Sequence, residues 1–597
     1  MMVILCSTAP AVGQDTPPRI DDDYIITEEV DRTSISVAWQ RARDAETPEA
    51  ELEYRVYYSL DSLMDRVEQI ETLGVPWGEF ARDIHRAKIR DLTPETGYYV
   101  NVIVRDGHDN RVAYGKKKIF THLGATYDQI IAVQDPGSAL REDWWRQAVF
   151  YQCYVRAFRD SDGDGFGDLG GVIEKLDYLR ELGVGGIWLM PVMESSDNLH
   201  GYATTDYREI EKDYGTLDNF RLLLHEAHRR GIGVIIDFVI NHSSSWHPFF
   251  VDSETGSTSL YRNWYIWEAQ KPGDWPVPTV SYSSWHKGST GYYYAPFWRE
   301  MPEWNFRSMA VKNYMADNFR FWLNLGVDGF RLDAIHHLIE NGPGGLLEQP
   351  ESHLYFQYLR SILDRYENRF SICEHGGWEY LGEHEFHSGF AFGFNRRLVE
   401  AVRNGKPWVL DPDVRNYILR APQGSKYAIF LANHDFFAGR RPYDQLGGHE
   451  QKCKLAASLL FTLPGIPFIY YGEEIGMTSS NEYQRDFSLR TPMQWHAGPN
   501  AGFTGGTPFR SLNENFAIHN VAVERADSSS ILNHYIRMIT IRNGHSALRS
   551  GDYQRVPTGD DAAFFAFLRS TDEETVLVVL NFSDQERSVT LDFTGTD

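Results

Sequence analysis

From residue 148 to 545 the chain alternates apolar strand-like runs with amphipathic helical stretches, and this repetition constrains the fold more than any other feature. AVFYQCYV is followed by GGVIEKLDYLRELG, whose apolar residues recur at helical spacing, and then by VGGIWLMPV. NFRLLLHEAHRRG precedes IGVIIDFVI, and the later runs are DGFRLDA, RFSICEH, YAIFLANHD and IPFIYYGEE. Strand–helix repetition predicts a parallel sheet covered by helices, and eight such units close an α/β TIM (β/α)8 barrel. A segment rich in Trp, Tyr, Gly and Ser, about 243–305, interrupts the pattern and reads as an inserted loop-rich subdomain.

The flanks follow a different period. Within 18–122, TSISVAWQ, EYRVYYSL, RAKIRDL, GYYVNVIVRD and VAYGKKKIFT are short alternating strands split by turn residues, the pattern of a β-sandwich. The run Leu92-Thr93-Pro94-Glu95-Thr96-Gly97-Tyr98 and the position of Trp39 resemble the tyrosine corner and core tryptophan of fibronectin type III domains. Residues 123–147 read as a linker. After 546, DYQRV, AFFAFLR, TVLVVLNF and RSVTLDF predict a small C-terminal β domain, 546–597. The first 17 residues carry an apolar stretch and Ala9-Pro10-Ala11, a small-residue cleavage pattern. They read as a signal remnant without a basic region, and hence predict a secreted or periplasmic protein.

A formal charge of −25 argues against a nucleic-acid partner, because phosphates would be repelled. No run is long enough to span a membrane. Cys6, Cys153, Cys373 and Cys453 have no paired spacing, which excludes a disulfide framework and a zinc ribbon. Aromatic residues reach 14%, enough to fill large cores and also to line a cleft for sugar rings.

In a TIM barrel the reacting groups sit where strands end. Asp237-Phe238-Val239-Ile240-Asn241-His242 closes the third strand and Gly329-Phe330-Arg331-Leu332-Asp333 the fourth. Cys373-Glu374-His375 closes the fifth and Asn433-His434-Asp435 the seventh. One carboxylate after an apolar run is usually a helix cap. Four strand ends carrying Asp, Asp, Glu and Asp to one rim point to chemistry. Crowded carboxylates push their pKa values apart, leaving one ionised and one protonated, as glycoside cleavage requires. Arg331, two residues before Asp333, shares its strand face and is expected to keep it ionised.

DFVINH, GFRLDAIHH, the Glu374 strand end and LANHD resemble the four signature regions of the α-amylase family of glycoside hydrolases, and HGYATTDY, MPEWN and LPGIPFIYYGEEIGM extend the resemblance across 148–597. The resemblance implies that Asp333 is the nucleophile, Glu374 the acid/base and Asp435 a third carboxylate that binds sugar hydroxyls. It also implies that Tyr202 stacks beneath the ring, that His242, His434 and His337 contact substrate, that Arg331 orients Asp333, and that Asp237 holds Arg331. The substrate implied is an α-glucan or malto-oligosaccharide.

The acidic loop from Asp160 to Asp168 looks like half of an EF-hand loop, but Gly171 stands where the closing Glu would be. Family resemblance implies a structural calcium held by Asp160, Asp162, Asp164, the Phe166 carbonyl and Asp168; an acidic turn without an ion is the bland alternative. Leu199 replaces the Asp of exo-acting α-glucosidases, whereas RTPMQW (490–495) is shared with oligosaccharide-acting members. The balance favours an amylase on starch and malto-oligosaccharides over an exo-acting α-glucosidase, or a glucosyltransferase or isomerase such as a trehalose synthase.

Overall fold

The computed structural model describes residues 16–591 apart from 22, 24, 31–32, 62, 94–95, 122–136, 198, 274, 277–282 and 375–376. Most of the signal remnant, Cys6, most of the linker, His375 and part of the tyrosine-corner run therefore lie outside the described residues. The chain divides into two compact units, one built on residues 1–129 with Asp252–Trp264 and Asn305–Asp317, the other on the remainder. Part of the inserted segment, Asp252–Trp264, falls in the first unit and Tyr265–Trp304 in the second.

The N-terminal unit holds two antiparallel sheets. One orders Ile25–Val30, Ile35–Trp39 and Arg86–Ile89. The other orders Val75–Arg82, Glu53–Ser59, Gly97–Arg105 and Arg111–Ala113, with Lys117–Phe120 also on Gly97–Arg105. Alternate residues of these strands, Val37, Trp39, Tyr54, Val56, Val100, Val102 and Val104, form its core. The Tyr98 hydroxyl accepts from the Thr93 N–H at 2.9 Å, tying the start of its strand to the loop before it.

In the second unit eight parallel strands close a barrel. In chain order they are Phe150–Cys153, Gly186–Leu189, Gly233–Phe238, Gly329–Leu332, Phe370–Cys373, Ser388–Phe390, Lys426–Phe430 and Ile466–Tyr470. Their inward residues interlock: the Phe150 and Phe468 rings stack at 4.6 Å, and Trp188, Phe370, Phe390 and Phe430 fill the space around them. Trp144 and Trp145, assigned to the linker by sequence, instead join this core. Gly186 and Gly233 open strands two and three because a Cβ at either position would meet the Trp144 ring within 2.6–2.8 Å.

Two sequence expectations change. Ser388–Phe390 is a barrel strand that no apolar run announced; it is only three residues long and contains a glycine. RSVTLDF forms no ladder over its described residues: the C-terminal sheet has three strands, Asp552–Val556, Phe564–Ser570 and Thr575–Asn581. Leu591 packs its side chain on Val556, Ala566 and Leu568 instead of extending the sheet. No helix of the described residues is long and apolar enough to cross a membrane. Cys153, Cys373 and Cys453 are buried free thiols.

Candidate active site

Strand register assembles the acid cluster. Asp237 lies opposite Arg331, and Leu332 opposite both Phe238 and Cys373. Asp333 and Glu374 are therefore each the first residue beyond a paired strand end, and their N–H groups continue the ladder to Phe238 and Leu332. Arg331 sits at the centre. Its Nη1 is 2.8 Å from Asp237 Oδ1 and 2.5 Å from Asp333 Oδ1, and its Nη2 is 3.4 Å from Glu374 Oε2. One buried guanidinium thus faces three carboxylates. Ala334 adopts a left-handed conformation (φ 48°), which aims its N–H at Glu374 Oε2 from 2.7 Å.

Arg331 is expected from the sequence to keep Asp333 ionised, and it does favour the charged form, but other influences oppose it. Burial is the largest influence, Glu374 and Asp237 add to it, and together they push the Asp333 carboxyl well above the usual range against the pull of Arg331. Burial also pushes Asp237 up to about 6, with Arg331 opposing. Asp435 rises to about 7 through burial, with Arg490 opposing and Glu374 adding.

Behind the cluster runs a relay of neutral groups. The Gln152 amide, on the first strand, donates to His434 Nδ1 at 2.6 Å. That leaves His434 Nε2–H for the Tyr202 hydroxyl at 2.7 Å, which in turn donates to Asp237 Oδ2 at 2.9 Å. The Tyr202 and His434 rings lie nearly parallel, 5.8 Å apart. Burial holds His434 well below its ordinary pKa, so the ring is neutral. Burial likewise lowers His242 to about 3 and His337 to about 4. His242 is buried, and the Phe297 ring packs against both histidines, 5.5 Å from His242 and 4.9 Å from His337.

Several residues that sequence reading passed over hold this site. Arg490, the first residue of RTPMQW, donates to the His434 carbonyl at 3.1 Å and pairs with Asp435 Oδ1 at 3.3 Å. Asp197 accepts backbone N–H bonds from Leu199, His200, Gly201 and Ala203 and pairs with the His200 ring at 3.0 Å. Burial opposes its ionisation, yet His200 and these N–H groups outweigh burial and hold Asp197 far below the usual range. Its position two residues before Leu199 could have drawn attention; Gln152 and Phe297 carry no comparable signal.

In the acidic loop, carboxylate oxygens of Asp160, Asp162 and Asp168 come within 4.8 Å of one another, a set of hard oxygen donors that suits a divalent cation. Asp164 lies outside this group of three; its Oδ1 accepts the Phe166 N–H at 2.8 Å. The Phe166 ring packs under the Arg156 guanidinium.

A parallel (β/α)8 barrel with acids clustered at strand ends is the frame of a glycoside hydrolase. Residues 152–551 match the family described as alpha amylase, catalytic domain, and residues 553–597 match the maltogenic amylase C-terminal domain. The chain belongs to the α-amylase family of glycoside hydrolases. It is 36% identical over 463 residues to alpha-amylase 3 of Dictyoglomus thermophilum, covering 75% of this chain and 87% of that protein. It is 30% identical over 519 residues to a probable oligo-1,6-glucosidase of Bacillus subtilis, covering 75% and 92%. Among solved structures, isomaltulose synthase from Erwinia rhapontici superposes with a TM-score of 0.67 at 31% identity, covering 74% and 91%.

Proposed function

We propose that the protein hydrolyses α-1,4-glucosidic bonds in starch and malto-oligosaccharides with retention of anomeric configuration. The observation that carries this reading is the Arg331 guanidinium shared by Asp333 and Glu374, which keeps the two carboxyls within a guanidinium's span of one another. Retaining enzymes need that separation to be only about 5–5.5 Å. In the proposed reaction Glu374 gives its proton to the glycosidic oxygen while Asp333, reacting as the carboxylate paired with Arg331, attacks the anomeric carbon, forming a glycosyl ester and releasing the shortened chain. Glu374, now a carboxylate, takes a proton from water, and the hydroxide displaces Asp333. Asp435 and the neutral His242 ring bind sugar hydroxyls. His434 and His337 line the cleaved unit, and Tyr202 lies beneath it. Calcium at Asp160, Asp162 and Asp168 would serve the fold, and the N-terminal domain is read as a fibronectin type III-like spacer.

Internal cleavage is favoured because the loop before Tyr202 offers no carboxylate to grip a chain end. Leu199 stands at that position, and both Asp197 oxygens are already occupied by backbone N–H groups. The likeness to isomaltulose synthase supports a second reading, transfer of a glucosyl unit to another sugar in place of water. Maltoheptaose, maltose and sucrose should be digested to low conversion, with products separated by chromatography and their anomers followed by NMR. From maltoheptaose, internal hydrolysis predicts maltotriose with maltotetraose, or maltose with maltopentaose, in the α-form. Glucose with maltohexaose as the sole early pair from maltoheptaose would establish an α-glucosidase, isomerised disaccharide a transferase, and β-anomers would exclude the double displacement.

A further inference from the structure

Phe436 and Phe437 directly follow the third acid, Asp435, and are 41% and 58% exposed. Burying a phenylalanine ring is worth about 1.5–3 kcal/mol, so two adjacent exposed rings at the rim of a reacting site call for an occupant.

The rings are held. Residues 436–438 form a turn in which the Ala438 N–H donates to the Asp435 carbonyl at 3.0 Å. Phe437 lies against Phe392 at 5.1 Å with 32° between the planes, and Phe392 meets Phe430, the last residue of the seventh strand, edge-on at 5.2 Å. An aromatic stack therefore runs from the barrel core to the surface. The Phe436 N–H donates to Asp486 Oδ1 at 2.7 Å, and the other Asp486 oxygen faces Arg490 at 3.8 Å. Arg490 is also the partner of Asp435. The Phe436 backbone and the third acid thus share one clamp.

We propose that Phe436 and Phe437 form a stacking subsite for a glucosyl unit of the same chain, next to the unit that Asp435 holds. The inference rests on the α-glucan reading and names a specificity determinant for it. A pyranose presents a flat C–H face edged with hydroxyls. Apolar ring faces braced beside a sugar-binding carboxylate match that face, and the half-exposed Asp486 offers a hydroxyl acceptor at the edge. Continuity with Asp435 identifies the occupant as substrate.

The test compares maltoheptaose with an aryl α-maltoside in steady-state kinetics of the full chain, for Phe436→Ala, Phe437→Ala, the double variant and Phe437→Trp. Each alanine should raise KM for maltoheptaose about three- to tenfold, with a smaller effect on the short substrate. Phe437→Trp should retain the wild-type KM, and the alanine variants should lose only a few degrees of melting temperature because both rings are partly exposed. A double variant with wild-type KM on maltoheptaose would overturn the subsite, as would an equal loss on both substrates, which would make the rings supports for Asp435 alone. A wild type that cleaves no maltoheptaose at all would overturn the α-glucan reading and this inference with it.

Discussion

The Ala334 N–H donates to Glu374 Oε2 at 2.7 Å because Ala334 holds a left-handed backbone, φ 48°, one residue after Asp333. An L-residue in this region costs about 1–2 kcal/mol relative to a right-handed one. The strain is stored where it fixes two carboxyls relative to one another. Ala334→Val, β-branched and still less tolerant of positive φ, should lower both melting temperature and kcat with little change in KM. Ala334→Gly relieves the strain, so its melting temperature should equal or exceed the wild type while kcat falls modestly. Steady-state kinetics beside thermal melts check this; a valine variant with wild-type kcat would show that the N–H has no part in aiming Glu374.

Asp333→Asn removes the proposed nucleophile and Glu374→Gln the proposed proton donor, each a chemical step that no neighbour replaces. Each should reduce kcat by about a thousandfold or more while the fold stays intact. Turnover on maltoheptaose with circular dichroism as the control for folding is the measurement. Near-wild-type turnover in either pure variant would remove that residue from its role.

Legibility in the sequence followed local pattern. Asp237, Asp333 and Glu374 could be placed because each closes or follows an apolar run long enough to read as a strand. Ser388–Phe390 could not, since three residues with a glycine carry no period. Arg490 and Gln152 escaped notice because their partners lie 55 and 282 residues away along the chain. The charge balance was hidden for another reason: burial outweighs Arg331 at Asp333, and burial is set by the closed barrel as a whole.

That balance makes a statement about pH. Asp435 has a folded pKa near 7, above the roughly 3.9 of an unfolded aspartate, so the folded state holds its proton more tightly. Its contribution to stability is present in full below about pH 4 and is lost as pH rises through about 7. Asp435→Asn removes the titration. The variant should therefore show a flatter melting temperature between about pH 4 and 7, and at pH 7 it should be more stable than the wild type. Melting curves across that range decide it: parallel profiles for the two proteins would mean that Asp435 titrates normally in the fold.

The acidic loop supplies the last test. Asp160 already accepts N–H bonds from Asp162, Gly163 and Gly165, and Asp168 accepts from Ser161 and Gly171, so the carboxylates are fixed in place before any ion is considered. Holding Asp160, Asp162 and Asp168 with oxygens within 4.8 Å of one another concentrates negative charge that a calcium ion would neutralise. An ion bound only by the folded state stabilises it by mass action, about 2.7 kcal/mol at a free concentration one hundred times its Kd. Prolonged dialysis against a calcium chelator should lower the melting temperature by several degrees, and added calcium should restore it. Asp162→Asn removes one charge at the exposed member of the group and should weaken that recovery without disturbing the hydrogen bonds of Asp160 and Asp168. Atomic emission of the dialysed and reloaded protein separates a lost ion from a retained one. A protein shown to be calcium-free that melts at the wild-type temperature, with or without added calcium, would leave the loop as an acidic turn held by its own hydrogen bonds.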